Sequence, residues 1–174
     1  MQKAKFPAIA ATFLLCFGFW ILLTWSFTVQ ELLAGVVVSL LVALFSARFF
    51  IHENAAWFFH PLRFFSAIFF WCGTFIAELV KANVDMAKRC FGGCKNINPG
   101  IVKVPVELES DYGQAALANA ITMTPGTITL DIAEDSEGKT WYYIHWINVT
   151  TADPREAGEA IKGRLERGIR RFWK

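Results

Sequence analysis

Ala-Asn-Ala-Ile-Thr-Met-Thr-Pro-Gly-Thr-Ile-Thr-Leu-Asp-Ile, residues 118 to 132, changes its period halfway. An alanine-rich helical pattern runs up to Met123 and stops at Thr124-Pro125-Gly126-Thr127. Proline cannot continue a helix, and glycine permits a sharp reversal of the backbone. Strict alternation follows, with Ile128, Leu130 and Ile132 to one side and Thr127, Thr129 and Asp131 to the other, which is the period of a strand. The four residues predict a joint between a helix and a strand.

Working outward, Ile101 to Leu108 also alternates, placing Val102, Val104, Val106 and Leu108 inward and Lys103, Pro105 and Glu107 outward. Pro105 has no N–H for a ladder and assigns this strand to an edge. Ser110 offers an N-cap for a helix from Asp111 to Met123. After the joint, a strand over Thr127 to Ala133, a polar turn over Glu134 to Lys139 and a strand over Thr140 to Val149 make a hairpin. Asp153-Pro154-Arg155-Glu156 then reads as a helix start, with Asp153 as N-cap, Pro154 in the first turn and Glu156 completing a capping box. Ile161, Leu165, Ile169 and Phe172 form the apolar stripe of that last helix. The order β-α-β-β-α predicts a small sheet covered on one face by two helices.

The first half has a different composition. The chain of 174 residues is 55% hydrophobic and 18% charged, with 17 Phe and 7 Trp. Charge is absent from Phe6 to Gln30 and again from Leu32 to Ala47, and a third apolar stretch runs from Phe64 to Ala77. About 20 mainly apolar residues cross a bilayer as a helix. The fold class is therefore a membrane α-helical N-terminal half of two or three transmembrane helices followed by a small α/β domain. The expected spans are Pro7 to Trp25, Val29 or Leu32 to Phe50, and Pro61 to Val84; the first two form a tight hairpin. Lys3 and Lys5 precede an uncleaved first span, because no small-residue cleavage site follows it. Aromatics mixed with charges over residues 47–63 suit an interfacial connection. The domain plan is 1–84 transmembrane, 85–100 linker and 101–174 soluble. With three full spans, Lys3, Lys5, Arg48 and Arg63 balance Lys81, Lys88, Arg89 and Lys95, so positive charge leaves the orientation undecided.

A formal net charge of +2 gives no reason to expect nucleic acid as a partner. The basic residues of the last helix (Lys162, Arg164, Arg167, Arg170, Arg171, Lys174) lie beside Glu156, Glu159 and Glu166, and read either as a solvated face or as a face toward anionic lipid or an acidic partner protein. Cys16 and Cys72 sit in apolar spans. Cys90 and Cys94 could pair or remain free thiols, but His52, His60 and His145 are too scattered to complete a metal site. Glu78 is the acidic residue inside the third apolar context; Lys81 follows on the same helix face, so a local ion pair, a contact with a neighbouring subunit and an ion-path role are all open. Glu31 falls at the hairpin turn as a solvated or capping residue. Asp131 and His145 on adjacent strands read as a surface pair. Thr122, Thr124, Thr127 and Thr129 are accounted for by strand propensity and turn capping rather than by anion binding. With no nucleophile elbow, phosphate loop or ligand cluster, no enzyme activity and no cofactor is expected.

Several segments together resemble a known family. Leu23-Thr24-Trp25-Ser26-Phe27 with Leu33-Ala34-Gly35, Glu78-Leu79-Val80-Lys81-Ala82-Asn83, Pro99-Gly100-Ile101-Val102-Lys103-Val104-Pro105, and Leu117 through Thr127 are similar, in the same order, to the E-type subunit of the multisubunit Mrp-type Na+/H+ antiporter. Cys90-Phe-Gly-Gly-Cys94 is not a feature of that pattern, and Met123 stands where leucine is usual. The resemblance implies an accessory subunit in the cell membrane that supports assembly and ion transport beside larger ion-conducting subunits, with its C-terminal domain in the cytoplasm. Related subunits occur in membrane-bound hydrogenases, which is the alternative setting. On this reading the lipid bilayer and the other membrane subunits are the partners. Glu78, Lys81, Asn83, Thr124, Pro125, Gly126 and Thr127 are the candidate functional or structural residues.

Overall fold

The computed structural model describes residues 6–50, 61–93 and 97–173. Lys3, Lys5, His52, His60, Cys94, Lys95, Lys174 and most of the expected interfacial connection lie outside the described residues. The chain forms two compact units, Met1–Pro61 and Leu62–Lys174. Three helical stretches among the described residues are long and apolar enough to cross a membrane: Phe6–Thr24, Val29–Ser46 and Phe65–Phe91.

The first unit is a helical hairpin of α1 (Phe6–Thr24) and α2 (Val29–Phe50). Small residues make the seam: Ala8, Ala11 and Thr12 are buried on α1, and Gly35, Ser39 and Ala43 on α2. In hydrocarbon, apolar burial drives no association between helices, so close backbone approach over small side chains takes its place. Trp20 lies directly over Gly35, where a Cβ would come within 2.6 Å of its ring. The Trp20 indole N–H donates to the Glu31 carbonyl at 3.1 Å. Thr28 opens α2 by accepting from the Glu31 amide at 3.4 Å, and Trp25 turns the chain at φ 47°. Glu31 thus belongs to the first turn of α2, where a negative charge suits the helix dipole.

The second unit begins with a long broken helix. α3 (Pro61–Phe69) passes through a six-residue π-helical turn, Phe70–Phe75, into α4 (Ile76–Phe91). This helix continues through residues 85–91, the first part of the segment read as a linker. The α/β portion follows as β1 (Gly100–Pro105), α5 (Asp111–Met123), β2 (Thr127–Glu134), β3 (Thr140–Trp146) and α6 (Pro154–Ile169). The sheet is antiparallel in the order β1-β3-β2, so β1 with Pro105 is an edge as its sequence requires. Val102, Val104, Val106 and Leu108 point into the core with Leu117, Ile121, Tyr142, Ile144, Leu165 and Ile169. Burial, then the charge of Glu166, pushes the Tyr142 phenol above its usual range; its hydroxyl donates to the Gln114 carbonyl at 2.7 Å.

Three local expectations are corrected. β2 does not alternate throughout: the register shifts between Thr129 and Asp131, so Ile128 lies opposite His145 while Ile132 lies opposite the inward-facing Tyr142. A bulge adds one residue to one strand and re-aims those beyond it, which separates Ile132 from the Ile128 face. Ser110 holds the N-cap position of α5 in extended backbone, but its side chain does not make the capping bond. At α6, Asp153 Oδ1 does accept from the Arg155 and Glu156 amides, both at 2.9 Å. Glu156, however, accepts from the Thr151 hydroxyl at 2.8 Å instead of closing the capping box on Asp153.

The last helix is also less solvated than its charges suggest. Lys162 and Glu166 are buried, 5% and 7% exposed, and pair with each other. Glu166 Oε1 also accepts from the Glu107 amide at 2.7 Å, which fixes the chain leaving β1. Burial of two charges is tolerated because each finds a partner.

Candidate functional site

A cleft of about 210 Å³ gathers most of the candidate residues. α4 contributes Glu78, Lys81, Asp85 and Arg89, the joint contributes Thr124 to Thr127, and α6 and the end of β3 close it. Asn83 is not among them. It is exposed, and its amide donates to the Leu79 carbonyl one turn back at 2.8 Å.

The two threonines of the joint serve the backbone. Helix ends leave carbonyls without intrahelical partners. At the end of α5, Thr124 Oγ1 and Thr127 Oγ1 both donate to the Ile121 carbonyl, at 2.7 and 2.8 Å. The two hydroxyl oxygens lie 3.1 Å apart. Gly126 takes φ +98°, and a Cβ there would meet Ile147 Cγ2 at 3.1 Å and Met86 Cε at 3.4 Å. Its carbonyl accepts from the Ile147 amide at 2.9 Å. Pro125 and Gly126 therefore fold the chain tightly enough for β2 to enter the sheet beside β3, with α4 in contact. Thr122 and Thr129 are occupied similarly: the Thr129 amide donates to Thr122 Oγ1, and Thr129 Oγ1 to the Ala118 carbonyl.

Glu78 has a partner that local spacing does not reveal. Its Oε2 lies 3.8 Å from Lys81 Nζ, the expected i,i+3 pair. Its Oε1 is 2.7 Å from Arg164 Nη1 on α6. The guanidinium N–H groups are not aligned on Oε1, so this is a close ion pair without a well-formed hydrogen bond. Below Glu78 the helices interlock through aromatic rings. Phe70 and Phe75 are buried, and Phe70 meets Phe172 at 5.5 Å between ring centres. Gly168 lies under the Phe70 ring, where a Cβ would approach within 2.5 Å. One face of the third apolar helix, from Phe70 to Leu79, thus belongs to the core of the α/β portion.

The sequence reading missed Arg164, Gly168 and the π-helical turn. Arg164 borders the apolar stripe of α6, but only the packing of α6 on α4 brings it to Glu78. Cys-Gly-Thr at residues 72–74, inside an aromatic run, was the available signal for an irregular turn. The other candidates remain apart. Asp131 lies opposite Tyr143 and His145 opposite Ile128 and Ile101, so these two residues are not cross-strand partners. Cys90 is exposed at the end of α4. Among the described residues no three His, Cys, Asp or Glu side chains converge as metal ligands do.

Residues 13–172 match the family described as Na+/H+ ion antiporter subunit. The E-type subunit of the Na+/H+ antiporter from Alkalihalophilus pseudofirmus is 35% identical over 75% of this chain and 77% of its own length. The E1-type subunit of the Na+/H+ antiporter from Staphylococcus haemolyticus is 33% identical over 93% of this chain and 94% of its own. Among solved structures, a chain of the membrane-bound sulfane sulfur reductase, an archaeal respiratory membrane complex, superposes with a TM-score of 0.82. It is 36% identical and covers 96% of this chain and 99% of the other.

Proposed function

Because the chain belongs to the Na+/H+ ion antiporter subunit family, we propose that it is an accessory subunit of a multisubunit cation/proton antiporter in the cell membrane. It supports assembly and transport without itself catalysing a reaction or conducting the ions. The use of the candidate polar groups carries this reading. The Glu78 carboxylate is tied to Arg164 and Lys81, and the hydroxyls of Thr124 and Thr127 are turned onto the Ile121 carbonyl. A carboxylate on an ion path exchanges partners with the ion, whereas one held between two cations near 19% exposure fastens one helix to another. The α/β domain, 101–174, is assigned to the cytoplasmic side together with the Phe70 to Leu79 face that packs on it, and the helical hairpin before it to the membrane region.

Purification in mild detergent tests the assignment: large polytopic subunits should accompany this chain, and a chain that runs alone would sink it. Glu78→Gln tests the role of the carboxylate. The yield of assembled complex should fall while the apparent Na+ affinity of the complexes that form stays unchanged. Normal assembly with lost transport would place Glu78 on the ion path instead.

A second setting has a specific observation in its favour. The likeness to a chain of a sulfane sulfur reductase extends over 96% of this chain, which supports an antiporter module within a membrane-bound redox complex of the hydrogenase type. Metal-cluster subunits in the purified assembly would decide for this setting, and their absence for a stand-alone antiporter.

A further inference from the structure

We infer that the groove on the far side of α6 from α4 is a docking surface for an acidic segment of a neighbouring subunit, an assignment that rests on the chain being part of a larger complex. The groove, about 480 Å³, runs along α6 between the end of β1 and the β2–β3 turn. Three carboxylates line it, and each is already committed within the chain. Glu166 pairs with Lys162, Glu159 accepts from Arg167 at 2.7 Å, and Glu107 accepts from Arg170 at 2.8 Å. Two further cations line the same groove, Lys139 and Arg155. Neither forms an ion pair among the described residues. Lys139 is held in place, its ammonium 4.8 Å from the centre of the Trp141 ring. Trp141 is itself anchored through its indole N–H to Asp135 at 2.8 Å. The groove therefore has two positive charges in excess, one of them held by Trp141, the complement of a segment carrying Asp or Glu.

Its place in the fold favours protein over lipid. The α6 residues on the side of the apolar helix are Ala160, Ile161, Arg164, Leu165 and Gly168. Lys162, Glu166 and Arg155 line the groove on another face. Arg155 opens α6, at the opposite end from Gly168, which touches Phe70. That end of the helix is thus the one farther from the apolar stretch Phe65 to Phe69.

Zero-length carbodiimide crosslinking of the purified complex, followed by peptide mass spectrometry, tests the inference. Lys139 should join to an Asp or Glu of a different subunit. Lys139→Glu with Arg155→Glu should abolish the crosslink and lower retention of this chain in the complex about fivefold at moderate salt. The neutral pair Lys139→Gln and Arg155→Gln should show a smaller loss in retention, in line with charge rather than misfolding. A Lys139 that crosslinks to no other subunit, or only to a second copy of this chain, overturns the assignment. So does a loss of retention seen only in nanodiscs containing phosphatidylglycerol and not in pure phosphatidylcholine, which would give the groove to anionic headgroups. Co-purification of the large subunits with the unaltered chain is read separately, so the complex can stand while the groove fails.

Discussion

Gly126 is the residue in the joint whose replacement is least tolerable. Its φ of +98° is a region that side chains with a Cβ rarely adopt, and the space around it is filled by Ile147 and Met86. Gly126→Ala should cost about 1–3 kcal/mol, measured as a lower midpoint in detergent-solubilised thermal unfolding. Thr127→Val keeps the shape but removes a hydroxyl from the Ile121 carbonyl. It should cost about 1 kcal/mol in the same assay. Asp135 is sensitive to pH. The Trp141 indole N–H and then the Lys139 amide hold its carboxyl below the ordinary 3.8. A depressed folded pKa contributes stability above the unfolded value, lost as pH falls through the folded one. Protection of the amides in the 135–139 turn, relative to intrinsic exchange at each pH, should therefore fall below about pH 4, and Asp135→Asn should flatten that fall. These residue-scale features were unevenly legible. Pro-Gly announced a turn, but convergence of both threonines on one carbonyl follows from φ and ψ angles that composition does not specify.

At the scale of elements, the contact between α6 and the third apolar helix is the feature a local reading could not supply. Because each buries one face against the same core, periodicity gave α5 and the start of α6 nearly to the residue, but it ran β3 past Trp146 to Val149. It misread which way the end of β2 faces, since a bulge leaves no trace in an alternating pattern. It left Lys162 and Glu166 on a solvated face, since charge implies water unless a buried partner is known. Gly168 shows how close the two helices come. Gly168→Ala should destabilise the unit by about 1–3 kcal/mol through overpacking. Phe70→Leu in the same chain should recover part of that loss, where two independent lesions would add. A double-mutant cycle on Glu78 and Arg164 should give a coupling of about 1 kcal/mol, because Arg164 is 61% exposed and solvent screens the pair.

At the scale of the whole molecule, composition alone divided the chain into greasy and mixed halves, and the resemblance in four segments supplied the family. Sidedness was beyond composition, as equal numbers of basic residues flank the spans, and only the resemblance implied a cytoplasmic α/β domain. Labelling can supply it. With the other cysteines replaced, exposed Cys90 should react with an impermeant maleimide in inverted vesicles and not in intact cells if the α/β domain is cytoplasmic; the reverse pattern places it outside. The interlock of Phe70, Phe75, Gly168 and Phe172 has a mechanical consequence. The α/β portion is not a weight on a tether but is keyed to the shaft of the third apolar helix at its π-helical turn. A tilt or twist imposed on that shaft by a partner is delivered to the sheet as a rigid displacement, with little slack to absorb it. A spectroscopic label on the β2–β3 turn would then act as a pointer for the attitude of a helix buried among other subunits.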